Sequence, residues 1–223
     1  YLNNFSRIKF ADLNNIKSFK GKIISALNLA FITYNFKFKL RTHNYLFWPD
    51  GVFTTYLTNV KKVPGRIFFQ ILLNKINKQK TKFKKIYIFG NLPLISKMWI
   101  KKNLNYTFVH KDLPYGNIQK INSKLKKINI KKDSLIILTL PTPKQELLAN
   151  LILKNVPTVC LICIGGSLNM LSGYERKTPS LFYILNLEWL WRLKFDSKRR
   201  FIRLLESGLL YIKLKIYGKN NIF

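Results

Sequence analysis

Short apolar runs recur along the chain at a spacing that suits alternating strands and helices. KIISAL at 22–27, YLFW at 45–48, KIYIF at 85–89, NYTFVH at 105–110, SLIILTL at 134–140 and PTVCLICI at 157–164 predict six strands. Between them, apolar positions recur with helical spacing over 52–60, 66–78, 92–103, 116–128 and 143–155. Strands separated by helical stretches of this length predict an α/β fold: a Rossmann-like, mainly parallel sheet with flanking helices. In such sheets ligands bind beyond the carboxyl ends of the strands, so motifs that follow strands carry most weight. After about Gly173 the pattern changes. Arg192, Lys194, Lys198, Arg199, Arg200, Arg203, Lys213, Lys215 and Lys219 are interleaved with Trp189, Trp191, Phe195, Phe201 and Tyr211. The expected division is an α/β core over 1–172 and a basic, amphipathic helical appendage over 173–223.

Composition sharpens this picture. The chain has 223 residues, enough for one sizeable core, and 48% of them are hydrophobic, which excludes a disordered chain. The net charge of +31 points to an anionic partner: nucleic acid, an anionic membrane or a phosphorylated substrate. The abundance of Lys, Asn, Ile and Phe is also what an AT-rich genome produces, bacterial or plastid, and the lysines are scattered rather than gathered in one tail. Acidic residues number only nine: Asp12, Asp50, Asp112, Asp133, Glu146, Glu175, Glu188, Asp196 and Glu206. No two form an Asp-x-Asp pair, so nothing local offers the clustered oxygens that a hard cation needs. Cys160 and Cys163 form a CxxC within a predicted strand, where residues three apart point to opposite faces. They are expected to be buried small hydrophobes rather than metal ligands or a disulfide. No apolar run reaches the roughly 18–20 residues of a membrane-spanning helix, and the opening residues do not read as a secretory leader. Any membrane contact is therefore expected to be peripheral.

Four segments carry candidate chemistry. Trp48-Pro49-Asp50-Gly51 follows a strand, where Asp50 either caps the next helix or acts as a general base. Thr142-Pro143-Lys144-Gln145-Glu146 matches a capping box with Pro at the first helical position, and Glu146 suits the positive helix end. The same helix start can serve as an anion site, with Lys144 and Gln145 contacting a nucleotide diphosphate or sugar. Gly165-Gly166, again after a strand, permits close backbone approach to a ligand or forms only a turn. The absence of a Walker A motif and of GxGxxG leaves P-loop and ordinary dinucleotide enzymes unsupported. In the tail, Leu187-Glu188-Trp189-Leu190-Trp191-Arg192-Leu193 and Lys198-Arg199-Arg200-Phe201-Ile202-Arg203-Leu204-Leu205 set arginines beside an apolar helical face. That suits either an anionic bilayer and a diphosphate, or a terminal helix packed on the core with a solvated basic face.

The order of these pieces resembles the WecG/TagA/CpsF family of N-acetylmannosaminyltransferases. The shared features are Asn28, Pro49-Asp50-Gly51, Pro64-Gly65-Arg66, Gly90, Pro143-Lys144-Gln145-Glu146, Gly165-Gly166, Gly173, Pro179, Leu187-Glu188-Trp189-Leu190-Trp191-Arg192-Leu193, Arg199 and Arg203. They span roughly residues 20–212. The chain departs from the family pattern at Ala26, at Leu140-Pro141, at Asn169 (usually Asp) and at Lys177-Thr178-Pro179. The resemblance implies an inverting transferase that moves N-acetylmannosamine, or a related N-acetylhexosamine, from UDP to N-acetylglucosamine on a polyprenyl diphosphate during cell-surface polysaccharide synthesis. It implies Asp50 as the catalytic base and Asn28, Arg66 and Gln145 as residues lining the sugar and nucleotide pocket; the helix start and the glycine pair add Lys144, Gly165 and Gly166 as expected substrate-binding residues. Arg192, Arg199 and Arg203 would stabilise the diphosphate. No metal cofactor is expected. The expected partners are a UDP-sugar donor, the lipid-linked sugar acceptor and an anionic membrane surface; no nucleic acid is expected, and a homo-oligomer is compatible. The expected location is the cytoplasmic face of a membrane, with a plastid as the alternative. Two other functional readings stay open at this point: a basic nucleic-acid-binding protein, and an inactive relative that only binds UDP-sugar.

Overall fold

The computed structural model describes residues 8–38, 40, 42–78, 83–176, 178–185, 187–193, 201–202, 205–206, 208–209 and 212. A 3-10 turn at Ile16–Phe19 precedes β1 (Ile23–Leu27), α1 (Leu29–Phe38), β2 (Tyr45–Pro49), α2 (Val52–Thr58) and α3 (Gly65–Lys78). Then come β3 (Ile86–Phe89), α4 (Leu94–Asn103), β4 (Phe108–Lys111), α5 (Ile118–Lys126), β5 (Leu135–Leu138), α6 (Lys144–Asn155) and β6 (Cys160–Cys163). The short helices α7 (Ser167–Leu171), α8 (Ser180–Ile184) and α9 (Glu188–Leu193) follow.

The strands form one sheet in the order β2-β1-β6-β5-β3-β4, and every pairing is parallel. Alternate strand residues feed two separate cores. Ile23, Leu27, Phe47, Phe89, Leu138 and Cys163 pack with α1, α5 and α6. Ile24, Trp48, Ile88, Ile137, Cys160 and Ile162 pack with α3, α4 and α7. Burial on both faces explains why the inner strands read as unbroken apolar runs instead of alternating ones. The two cysteines do lie on opposite faces, buried and free. Burial in apolar surroundings pushes both thiols up, far from the reactive range.

The α/β architecture and its parallel sheet agree with the expectation from sequence, and the differences are local. Helix α1 was not anticipated. Its sequence, LAFITYNFKF, is rich in aromatic and β-branched residues of middling helix propensity. Packing of Phe31 and Ile32 into the core, plus a side-chain cap from Asn28, makes it helical. Strand β4 starts at Phe108, not at Asn105, because the Asn105 N–H is taken by Asn77 Oδ1 at 2.9 Å near the end of α3. The capping box at Thr142 does not form. Helix α6 begins at Lys144, Pro143 stands one position before it, and no side chain caps it.

Gly90, directly after β3, takes φ 134°, a region essentially reserved for glycine. A Cβ there would also run into the Thr139 side chain, whose hydroxyl donates to Phe89 O at 3.3 Å. Gly90→Ala is therefore expected to cost about 2–3 kcal/mol of folding stability, read by urea denaturation. A midpoint matching wild type would show that this strand end can relax.

Candidate active site

The carboxyl ends of β2, β1, β6 and β5 are neighbours in the sheet, so the segments that follow them share one edge. Asp50 stands at the end of β2. Its N–H donates to Leu27 O at 3.1 Å, tying it to the end of β1. The Thr54 hydroxyl also bonds Leu27 O and reaches Asp50 O at 3.2 Å. Asp50 is not the cap of α2: Gly51 holds that position, with no side-chain capping bond. Its carboxylate instead meets Asn28, whose Nδ2 donates to Asp50 Oδ2 at 3.1 Å. Asn28 Oδ1 accepts from the Phe31 N–H at 2.9 Å. Because the oxygen must face a backbone donor, the amide nitrogen must face Asp50. One side chain thus caps α1 and orients the Asp50 carboxylate.

The α6 start is built around a buried acid. Glu146, 1% exposed, accepts through Oε1 from Ser25 Oγ at 3.0 Å, Thr142 Oγ1 at 3.1 Å and Gln145 Nε2 at 2.8 Å. Its Oε2 is buried without a hydrogen-bond partner. Burial raises its pKa, and hydrogen bonding from Gln145, from its own backbone N–H, from Ser25 and from Thr142 only partly offsets that. Gln145, 3% exposed, also gives Nε2 to Thr142 Oγ1 at 3.2 Å and accepts the Gly165 N–H on Oε1 at 2.9 Å. Its amide is engaged at both ends, so it positions the glycine pair. Gly165 takes φ 53°, the left-handed region, which aims its N–H at Gln145. Lys144 points along the edge, donating to Gly116 O at 2.6 Å.

Gly165-Gly166 leads into α7, whose first residue, Ser167, abuts Gly65. A Cβ on Gly65 would lie 2.5 Å from Ser167 Oγ, so the starts of α3 and α7 meet closely enough that any larger residue would make the Ser167 hydroxyl turn away. A Cβ on Gly166 would lie 3.4 Å from Glu175 Oε2, so a second carboxylate lies beside the pair. Arg66, in the first turn of α3, is 3.6 Å from Glu188 Oε1, and Lys62 is 4.0 Å from Glu188 Oε2. Glu188 opens α9, so this contact joins the LEWLWRL segment to the core. Phe182 and Trp191 pack α8 on α9, with ring centroids 5.4 Å apart.

The structure thus brings Asp50, Asn28, Arg66, Lys144, Gln145, Gly165 and Gly166 to one edge of the sheet. Arg192 lies on α9, while Arg199 and Arg203 lie outside the described residues. Ser25 and Glu188 escaped the sequence reading. Ser25 sits inside a strand with no motif around it. Glu188 stands in the Leu187–Leu193 motif, but no role is assigned to it there. Among the described residues no three His, Cys, Asp or Glu side chains gather as a metal site, and no helix is long and apolar enough to cross a membrane.

The model of the Glycosyl transferase WecG/TagA/CpsF family matches residues 13–220. A Bacillus subtilis (strain 168) protein named N-acetylglucosaminyldiphosphoundecaprenol N-acetyl-beta-D-mannosaminyltransferase is 28% identical over 206 residues, covering 87% of this chain and 79% of the relative. Neither the nucleic-acid reading nor that of an inactive binder gains support from these matches.

Proposed function

Because this chain belongs to the WecG/TagA/CpsF family of glycosyltransferases, we propose that it moves N-acetylmannosamine from UDP to N-acetylglucosamine on a polyprenyl diphosphate, with inversion at the anomeric carbon. The observation that carries this reading is the Asp50–Asn28 pair, set on the same edge as the glycine turn and the α6 start.

In a single inverting displacement the acceptor hydroxyl attacks the anomeric carbon as the bond to UDP breaks. Asp50 takes the hydroxyl proton, held in orientation by the Asn28 amide. The leaving diphosphate carries the developing negative charge. Arg66, Lys144 and the arginines of the appendage supply positive charge there without a metal, since positioned cations stabilise charge that grows in the transition state. Arginine is suited to the role because it binds phosphate oxygens in pairs. Glu188 holds Arg66 against the end of the core, which links appendage docking to assembly of this charged pocket.

The appendage also carries exposed apolar side chains: Leu181, Ile184, Leu185, Leu190, Phe201, Ile202, Leu205, Leu209 and Ile212. With its basic residues these suit an anionic bilayer surface, where a lipid-carried acceptor resides. Peripheral attachment to the cytoplasmic face of a membrane follows as part of the proposal.

The experiment is transfer to a lipid-diphosphate acceptor, followed by UDP release and by the sugar gained on the lipid. Removal of residues 173–223 is expected to lower transfer by about ten-fold or more and to weaken vesicle binding. A truncated protein that binds vesicles and turns over like the full chain would dismiss the appendage from the reaction. UDP release without sugar on the lipid would dismiss the acceptor.

A further inference from the structure

Helix α4 presents an apolar end to solvent that the core does not use. Leu94 is 73% exposed, Ile95 47% and Met98 64%. The opposite side of the helix is committed to the fold. Ser96 and Ile100 are buried, and Ser96 Oγ bonds Asn169 Oδ1 on α7 at 2.9 Å and Ser172 Oγ, just past its end, at 2.8 Å. Since α4 follows β3 after a short turn, its first residues lie at the carboxyl edge of the sheet, the edge that carries Asp50 and the glycine pair.

The next loop along this edge continues the exposed surface. Tyr115, in the segment between β4 and α5, is 86% exposed. Three bonds hold that segment between the starts of α4 and α6. Lys97 Nζ meets Asp112 Oδ2 at 3.2 Å, the Leu113 N–H donates to Asn91 Oδ1 at 2.9 Å, and Lys144 Nζ donates to Gly116 O at 2.6 Å. Leu94, Ile95, Met98 and Tyr115 therefore form one rim, and Lys97, Lys111 and Lys144 stand along it with Asp112 the acid beside them.

We propose that this rim is a second bilayer-docking surface, built into the core, and that it turns the active edge toward a membrane rich in anionic lipids. The proposal rests on the lipid-carried acceptor argued above. Apolar tips, a tyrosine and lysines in one strip match the layered polarity of a lipid headgroup region, where aliphatic ends enter the acyl boundary and cations remain with the phosphates. A second copy of the chain is a poorer occupant. A two-fold contact would set this lysine-bearing face against itself, in a chain of net charge +31. An orientation fixed at both the core and the appendage would also confine the lipid diphosphate to the edge where Asp50 stands.

The test uses the full chain, with vesicles of phosphatidylcholine and phosphatidylglycerol against phosphatidylcholine alone. Leu94→Glu with Met98→Glu changes two solvent-facing positions, and circular dichroism with a thermal melt checks that the fold survives. The expected result is a roughly ten-fold weaker partition of the double variant onto the anionic vesicles, with the appendage supplying the remainder. Transfer to a short-chain, water-soluble acceptor is expected to stay at the wild-type rate. Equal partition of variant and wild type overturns the proposal. So does light scattering that shows a wild-type dimer and a monomeric double variant, which would make the rim a self-contact. Wild-type chain that docks on vesicles but transfers no sugar would refute the functional reading and leave the docking result standing.

Discussion

Asp50→Asn is expected to lower sugar transfer by about 10²–10⁴-fold while the protein folds as before. The substitution keeps the shape of the side chain and leaves an oxygen for the Asn28 Nδ2 contact, now 3.1 Å. What it removes is the ability to accept the proton of the acceptor hydroxyl at the moment of attack. The loss should fall on kcat, because proton acceptance matters in the transition state and contributes little to donor binding. Donor affinity, read by UDP titration, should stay close to wild type. Steady-state UDP release with the lipid acceptor measures the rest. A variant that retains wild-type turnover would strip Asp50 of the base role, and Glu175 beside Gly166 would be the next carboxylate to examine. The prediction is sharp because the acid is so well set apart. Its backbone is tied to β1 through Leu27 O, and its side chain is oriented by an amide that cannot flip without losing the cap of α1.

Much of this arrangement is readable in the chain. The apolar runs at 85–89, 134–140 and 157–164 become three adjacent inner strands, and helical spacing over 66–78 becomes α3 almost residue for residue. Rossmann-like logic then places three of the four motif segments at strand ends, and the fourth lies in the tail. The chemistry inside those segments was less legible, because one residue type supports two uses and only tertiary contacts choose between them. Asp50 before a helix reads as a cap, yet Gly51 takes that position and Asp50 turns to Asn28. Thr142 and Gln145 read as a capping pair, yet their side chains converge on Glu146. Gln145 looks like a ligand contact, and its amide is spent on Gly165. Helix α1 was missed because its propensities are ordinary and burial decides the matter. Ser25 could not have been singled out, since its partner lies 121 residues away.

Glu146 yields the largest expected effect on stability. Three donors, Ser25 Oγ, Thr142 Oγ1 and Gln145 Nε2, converge on its Oε1 inside the core. Glu146→Ala leaves them without that acceptor and opens a gap at the start of α6, at an expected cost of about 3–5 kcal/mol. It should also loosen Gln145 from Gly165, and with it the glycine turn. Glu146→Gln behaves differently. The amide oxygen still accepts the three bonds and the charge that burial disfavours is gone, but the new NH2 falls where Oε2 has no partner, so the cost near pH 7 should be smaller than that of Glu146→Ala, about 1–3 kcal/mol. The two variants also differ in their dependence on pH. Burial raises the folded-state pKa of Glu146 above its unfolded value. Its contribution is therefore fully present below that unfolded value and is lost as pH rises through the folded-state value. Over that window wild type should lose up to about 1.4 kcal/mol per pH unit relative to Glu146→Gln. Taking the difference between the two proteins cancels the opposite trend of Asp112 and Asp133, whose lysine partners hold their carboxyls below the usual range. Urea denaturation of both proteins at a series of pH values measures this difference. A difference that stays constant with pH would mean that Glu146 is ionised in the folded chain as readily as in the unfolded one, with the three donors outweighing burial.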